Sequence, residues 1–385
     1  MNDLRAVVEA YRRLRAEGVR LALATVVSGE GSVCRRPGAR MLVTASGETV
    51  GCIGAGCMER DVAMRARQVI GSGRPFLARY DANPETDIVW GLGLGCGGVT
   101  EVLIEPLVRE EQAAHLAFLA ACLERNQAGA IATIIGPDAE GVPLGARLLL
   151  AADGTTCSLL ENGAFPERLV RDAAEALRGD LPAAVAEYEL AERPVKALVE
   201  VIRPPIALVI FGADQDAAPV AGFATALGWR VTVVDSRAGL ASPSRFPGAG
   251  VIVCPPDQAA ERARLDERTA TLIMMHQYVW DMELLRTVLG SPAAYVGVLG
   301  PRQRTEGLLR HLGSRAAAQA RGRLYAPAGL DIGAESSEEI ALAIVAEIQA
   351  VFAGREGGPL RERRGPIHDR PGSGLVDPEQ GMGTQ

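Results

Sequence analysis

The chain has 385 residues, 48% hydrophobic and 23% charged, enough for two or three packed domains of a globular protein. A formal net charge of −7 argues against a nucleic-acid surface, which needs clustered Lys and Arg, and no apolar run reaches the ~18–20 residues of a membrane span. The opening stretch, MNDLRAVVEAYRRLRAEG, mixes charge throughout and lacks the apolar core of a secretory signal, so a cytoplasmic location is expected, with the seven cysteines as thiols or ligands rather than disulfides.

Residues 1–17 place Leu4, Val7, Val8, Tyr11 and Leu14 at helical spacing, and a strand follows over Arg20–Val27. The loop GEGSVCRRPGAR leads to two strands, MLVT and ETVGCI, predicted as a hairpin about Ser46-Gly47. GAGC reads as a tight turn, MERDVAMRARQVIGSG as a helix, and DIVWGLGLGCGGVTEVLIEPL as strand, glycine loop and strand.

The pattern then repeats at an offset of about 107 residues, the mark of a duplication. Ala24-Thr25-Val26-Val27 returns as Ala132-Thr133-Ile134-Ile135, Gly38-Ala39-Arg40 as Gly145-Ala146-Arg147, and Glu59-Arg60 as Glu167-Arg168. The closing EVLIEP returns as LVEVIRP. Copy two lacks the Gly-Cys turn and the glycine loop before its last strand. Glycine loops let a backbone approach a ligand, so copy one is expected to hold a site and copy two to be a structural echo. Freely varying surface loops are the plainer reading.

A third segment begins after Pro204-Pro205. IALVIFGADQDAAPVAGFATALGWRVTVVDSR reads strand, glycine turn, helix, strand, acid, the opening of a Rossmann domain. VIVCP, TLIMM and AAYVGVLG supply further strands, with helices between them and a long closing helix in EEIALAIVAEIQAVFAG. The expected fold class is α/β: an N-terminal α/β domain (1–110), a degenerate second copy and linker (111–205), a Rossmann-like parallel-sheet domain (206–354), and a disordered tail (355–385), poor in apolar residues.

Gly212 is the first glycine of the dinucleotide turn, but its second glycine position holds Asp214, and Asp216 follows; two carboxylates there repel a pyrophosphate. Asp235 ends the second strand, where an acid can hold a ribose hydroxyl. His276 follows the strand TLIMM and could bind a ligand, move a proton or cap the next helix. His115, His311 and His368 read as solvated. Cys57 lies between strand and helix, where a helix N-terminus favours thiolate. Cys96 lies in GLGCGG, whose exposed N–H groups form an anion nest. Both are candidate metal ligands, since thiolates suit soft metals; no Cys/His spacing suggests zinc. Cys122, Cys157 and Cys254 fit buried thiols. Arg35, Arg36 and Arg40 could pair with an anionic ligand or form a solvated loop.

GSVCRRPGARMLV (31–43), GCIGAGCMERDV (51–62), GLGLGCGGVTEVLIEPL (91–107), LVIFGADQDAAPVAGFATALGWRVTVVDSR (208–237), YVGVLGPRQRTEGLL (295–309) and PAGLDIGAESSEEIALAIVAEI (327–348) together resemble the XdhC/CoxI family, in the family's order. Cys57, Glu59, Cys96, Gly97 and Gly98 match its motif positions, and His276 with Asp281 keeps its His…Asp spacing; Cys34, Cys52 and Asp214-Gln215 depart from it, the last standing where Gly-His is common. The resemblance implies a molybdenum cofactor chaperone rather than an enzyme. Such a protein binds molybdopterin as cargo, protects it and inserts it into a xanthine-dehydrogenase-like or carbon-monoxide-dehydrogenase-like apoenzyme. It also implies a homodimer and contact with a cysteine desulfurase or a molybdopterin nucleotidyltransferase. On the spoiled turn, NAD(P) is not expected to bind. An NAD(P)-dependent oxidoreductase and a non-binding assembly scaffold are the alternatives.

Overall fold

The computed structural model describes residues 2–31, 33–54, 56–81, 98–136, 143–160, 165–179, 183–190 and 193–363. The chain divides into two compact units, one built on Met1–Pro204 and the other on Pro205–Arg363. No helix among the described residues is long and apolar enough to cross a membrane.

The first unit holds one motif twice. Copy one runs α1 (Asn2–Ala16), β1 (Leu21–Gly31), β2 (Arg40–Thr44), β3 (Thr49–Gly51), α2 (Gly56–Ser72), β4 (Phe76–Asp81) and β5 (Gly98–Pro106). Copy two runs α3 (Ala114–Arg125), β6 (Gly129–Gly136), β7 (Arg147–Ala151), β8 (Thr156–Ser158), α4 (Glu167–Arg178), β9 (Ala184–Leu190) and β10 (Arg193–Ile202). Their antiparallel sheets follow the same path, β3-β2-β1-β5-β4 and β8-β7-β6-β10-β9. A bulge recurs too: the register skips Val27 on β1 and Ile135 on β6. The edge strands β4 and β9 are additions to the elements that the sequence pattern predicts.

Strand alternation explains how the copies meet. Ala22, Ala24 and Val26 of β1 face Val62, Ala66 and Val69 of α2, and Ala130, Ala132 and Ile134 of β6 face Leu169, Ala173 and Ala176 of α4. Small residues let each helix sit close. The opposite faces meet each other, with Leu21, Leu23 and Leu42 of copy one in one cluster with Ile131, Leu149 and Ile202 of copy two. The bulged Val27 and Ile135 join Leu103 and Leu198 in a second shared cluster.

Between the sheets lie four buried charges in reciprocal pairs. Arg40, opening β2, donates to Glu200 on β10 of copy two. Arg147, opening β7, donates to Glu105 on β5 of copy one, with one bond of 2.7 Å and a second, shorter one. Each arginine also donates to the carbonyl of the glycine two residues before it, Gly38 or Gly145. Those glycines have φ of +94° and +86°, and a Cβ on either would stand 2.7 or 2.4 Å from the paired glutamate, so the Gly-Ala-Arg sequence is required twice for one reason. Arg40 is therefore not the anion-binding loop residue that its sequence neighbourhood suggests: its guanidinium is buried and already paired. His115 is likewise not solvated but 1% exposed. Burial, then the nearby Arg147 and Arg40 charges, hold its pKa well below the usual histidine value, so it is neutral.

The second unit carries β11 (Ala207–Phe211), α5 (Ala217–Ala226), β12 (Arg230–Asp235), β13 (Gly250–Val253), α6 (Pro256–Ala263), β14 (Thr269–Ile273), α7 (Tyr278–Leu289), β15 (Tyr295–Val298), α8 (Arg302–Ala320), β16 (Leu324–Tyr325) and α9 (Ser337–Phe352). All its strands are parallel, in the order β13-β12-β11-β14-β15-β16. The central strands are buried along their whole length, as a sheet covered on both faces requires. Helices α5 and α9 pack on one face, α6, α7 and α8 on the other. The strand order reverses between β11 and β14, and an open α/β sheet places its crevice outside the strand ends at that point.

Candidate functional site

In the first unit, the turn between β3 and α2 is built by its own residues. Gly51, at φ +92°, passes so close to β2 that a Cβ would lie 2.4 Å from the Arg40 carbonyl oxygen. Glu59, in the first turn of α2, accepts hydrogen bonds through Oε1 from the Ile53 and Gly54 amides, at 3.0 and 3.2 Å. This carboxylate thus shapes the loop; its described contacts are to backbone. Cys57 occupies the first turn of α2. Cys52 donates its S–H to the Gly54 carbonyl at 3.4 Å. Arg35 lies beside the Cys52 sulfur, whose hydrogen bond raises the guanidinium's pKa, and it reaches Asp3 at 3.9 Å. Arg36 is exposed, and its carbonyl accepts from the Ala39 amide. The structure therefore brings Arg35, Cys52 and Glu59 to the turn that carries Cys57. Cys52 is foreign to the family pattern and so is absent from the sequence-predicted site; its place in the same Gly-Cys stretch is the signal that points to it.

Cys96 and Gly97 lie outside the described residues, and Gly98 opens β5 opposite Gly31. Among the other thiols, Cys122 and Cys254 are buried as expected, and burial raises the pKa of each. Cys157, expected to be buried, is exposed on the edge strand β8. Among the described residues, no group of three or more His, Cys, Asp and Glu side chains is arranged to hold a metal ion.

In the second unit, four chain segments converge at the C-terminal edge of the sheet. Gly212, at φ +117°, runs so close to β14 that a Cβ would stand 2.6 Å from the Met274 carbonyl oxygen. Asp235 is sealed from solvent and accepts from the Ala213 amide at 2.8 Å and from the Arg237 amide and guanidinium at 2.7–2.9 Å. Burial pushes its pKa up, and these hydrogen bonds outweigh that and hold it low. Asp235 is accordingly not free for a ribose hydroxyl; it ties the turn after β11 to the end of β12. Asp216 accepts from the Ser337 hydroxyl at the start of α9 and faces His276 Nε2 at 3.9 Å. His276 has φ +58°, a left-handed backbone uncommon outside glycine. It does not cap the following helix, whose N-cap is Gln277. Asp281 is buried against Arg304, and its desolvation raises its pKa despite that guanidinium. Ser337 gives no sequence signal, because its partner lies 121 positions away.

Two family comparisons match: the XdhC and CoxI family over residues 14–81, and the XdhC Rossmann domain over residues 208–348. The chain belongs to the XdhC/CoxI family. It is 29% identical over 353 residues to a Bacillus subtilis protein described as a probable xanthine dehydrogenase subunit, covering 90% of this chain and 97% of that one. It is 26% identical over 354 residues to the molybdenum cofactor insertion chaperone PaoD of Escherichia coli, covering 90% and 87%. Among solved structures, a crystal structure of a xanthine dehydrogenase from Bacillus halodurans superposes with a TM-score of 0.74 at 27% identity, over 91% of this chain and 96% of the other. The α/β class and the Rossmann domain read from the sequence are those of the family.

Proposed function

We propose that this member of the XdhC/CoxI family is a carrier rather than an enzyme. It binds the molybdenum cofactor as cargo, shields it, and passes it to the apoenzyme of a xanthine-dehydrogenase-like or carbon-monoxide-dehydrogenase-like molybdenum hydroxylase. The observation that supports this most is the likeness to PaoD along almost the whole of both chains. We place the cargo on copy one, on the loops that copy two lacks. There Cys57 and Cys96 would offer soft sulfur to the metal, Gly97 and Gly98 backbone N–H groups to the phosphate, and Arg35 and Arg36 a second anion contact. His276 and Gly212, at the strand ends of the second unit, are separate candidate cofactor contacts. The chain would act in the cytoplasm as a homodimer, receiving cargo from a molybdopterin nucleotidyltransferase or meeting a cysteine desulfurase.

The test is cofactor occupancy. The full chain, made in a host that synthesises molybdopterin, should carry molybdenum and pterin in equal amounts. Cys96→Ala should lose most of both and Cys34→Ala should keep them, with circular dichroism confirming the fold of each. Retention by Cys96→Ala and loss by Cys34→Ala would reverse the assignment. Retention by both would end the thiolate reading and move attention to the arginines, and an empty wild-type chain would favour a non-binding scaffold.

A further inference from the structure

The turn after β11 differs from a dinucleotide-binding turn at one residue. That turn needs glycine first for the bend, glycine second so that backbone can meet a pyrophosphate, and glycine or alanine third for close helix packing. Gly212 meets the first need. Ala217, fully buried at the start of α5, meets the third. Asp214 is the one position where the glycine pattern itself is broken, while the Asp216 carboxylate is already engaged by the Ser337 hydroxyl and faces His276. Asp214 is not idle either. Its Oδ2 accepts from Arg237 Nη2 at 2.9 Å, and the same nitrogen donates to Asp235 at 2.7 Å. Arg245 braces the turn from the other side, donating to the Ala213 carbonyl at 2.8 Å.

The two halves of this network differ in exposure. Asp235 is sealed at 0%, whereas Arg237 and Asp214 are 34% and 31% exposed. The outer contact can therefore be exchanged while the inner one stays. Arg237 also stands two residues past the acid that ends β12, where a guanidinium in this fold accommodates the 2′-phosphate of a phosphorylated dinucleotide. A carboxylate and a phosphate oxygen are alternative acceptors for the same planar donor.

We propose that Asp214 is a built-in occupant of a latent dinucleotide site. Its carboxylate holds Arg237 in place of a ligand's phosphate and closes the turn to nucleotides, and the class of ligand that the site would take without it is a 2′-phosphorylated dinucleotide. The proposal shares Gly212 with the cargo reading but is tested with nucleotides alone and needs no loaded cofactor.

The experiment titrates the full chain with NADPH and NADH by fluorescence, and with 2′,5′-ADP and 5′-AMP by calorimetry. Wild type should bind none of them measurably. Asp214→Gly, which restores the glycine pattern, should bind NADPH at least about tenfold more tightly than NADH, the size of one charge-assisted contact. Adding Arg237→Ala should erase that preference. If the glycine variant does not fold, Asp214→Asn keeps the shape, removes the charge, and should bind 2′,5′-ADP in preference to 5′-AMP. Wild-type binding as tight as the variant's, folded variants that bind nothing, or equal affinity for both dinucleotides would each overturn the proposal.

Discussion

Copy one and copy two of the first unit share a sheet path, a bulge at the same place and a buried arginine at the head of the same strand. They differ in the glycine loops and cysteines that hang from that frame. The comparison separates two kinds of residue. What both copies keep, such as Gly-Ala-Arg and the glutamate of the closing strand, serves the packing of one sheet on the other. The Gly-Cys turn and GLGCGG are found only in copy one. By this criterion Arg40, which recurs as Arg147, belongs to the frame, and Cys57 and Cys96 to the candidate site; Glu59 recurs in sequence as Glu167 but holds the turn of copy one.

The reciprocal ion pairs give the severest test of that equivalence. Arg40→Ala and Arg147→Ala each leave a buried glutamate without its partner, and each should cost about 3–5 kcal/mol in urea unfolding. The two losses should match; a large inequality would show that the copies are not interchangeable supports. The double variant Arg40→Glu/Glu200→Arg should recover part of the loss.

His115 belongs to copy two and lies near both arginines, so it probes their shared interior. Its pKa is lowered by folding, so its contribution to stability is complete above the unfolded value near 6.5 and declines as pH falls below it. At pH 6.5 unfolding takes up about half a proton, rising toward one by pH 5.5, so stability should fall by about 1 kcal/mol across that unit for this group. His115→Gln should flatten that part of the profile. An unchanged profile would place the histidine's protonation elsewhere.

The smallest effect concerns the edge strands. Tyr80 of β4 donates to Asp61 of α2 at 2.6 Å, and Tyr188 of β9 donates to Asp172 of α4 at 3.0 Å. Burial, with the neighbouring acid, raises both phenols, Tyr188 to about 12. Tyr80→Phe and Tyr188→Phe should each cost about 1 kcal/mol by thermal unfolding. The tyrosines correspond, but the acid has moved about one helical turn along its helix, so the clip has been kept by function rather than by position.

The strands of the Rossmann unit are legible in the sequence because a sheet covered on both faces produces unbroken apolar runs, such as ALVIF and TATLI. The duplication is legible because its landmarks are short and local. Strands β4 and β9, FLARYD and AVAEYEL, are not, since half-exposed edge strands place charge at alternate positions and resemble loops. Arg40 looks like its neighbours Arg35 and Arg36 because its partner lies 160 positions away. Yet its parity with Leu42 and Thr44 puts it on an inward face, and its return in the copy without loops marks it as part of the frame. Asp235 looks free for the same reason that any strand-end acid does: the amide and guanidinium that claim it appear only when the turn closes.

The two ion pairs have one further consequence. Contacts in which one half gives what the other returns are those of an isologous assembly, whose halves present equal faces. A carrier made of equal halves would have two doors. Here the glycine loops recur in only one half of the sequence, so if the cargo is held there, as proposed, the unit would offer one place for it, and a donor and a client would have to use it in turn.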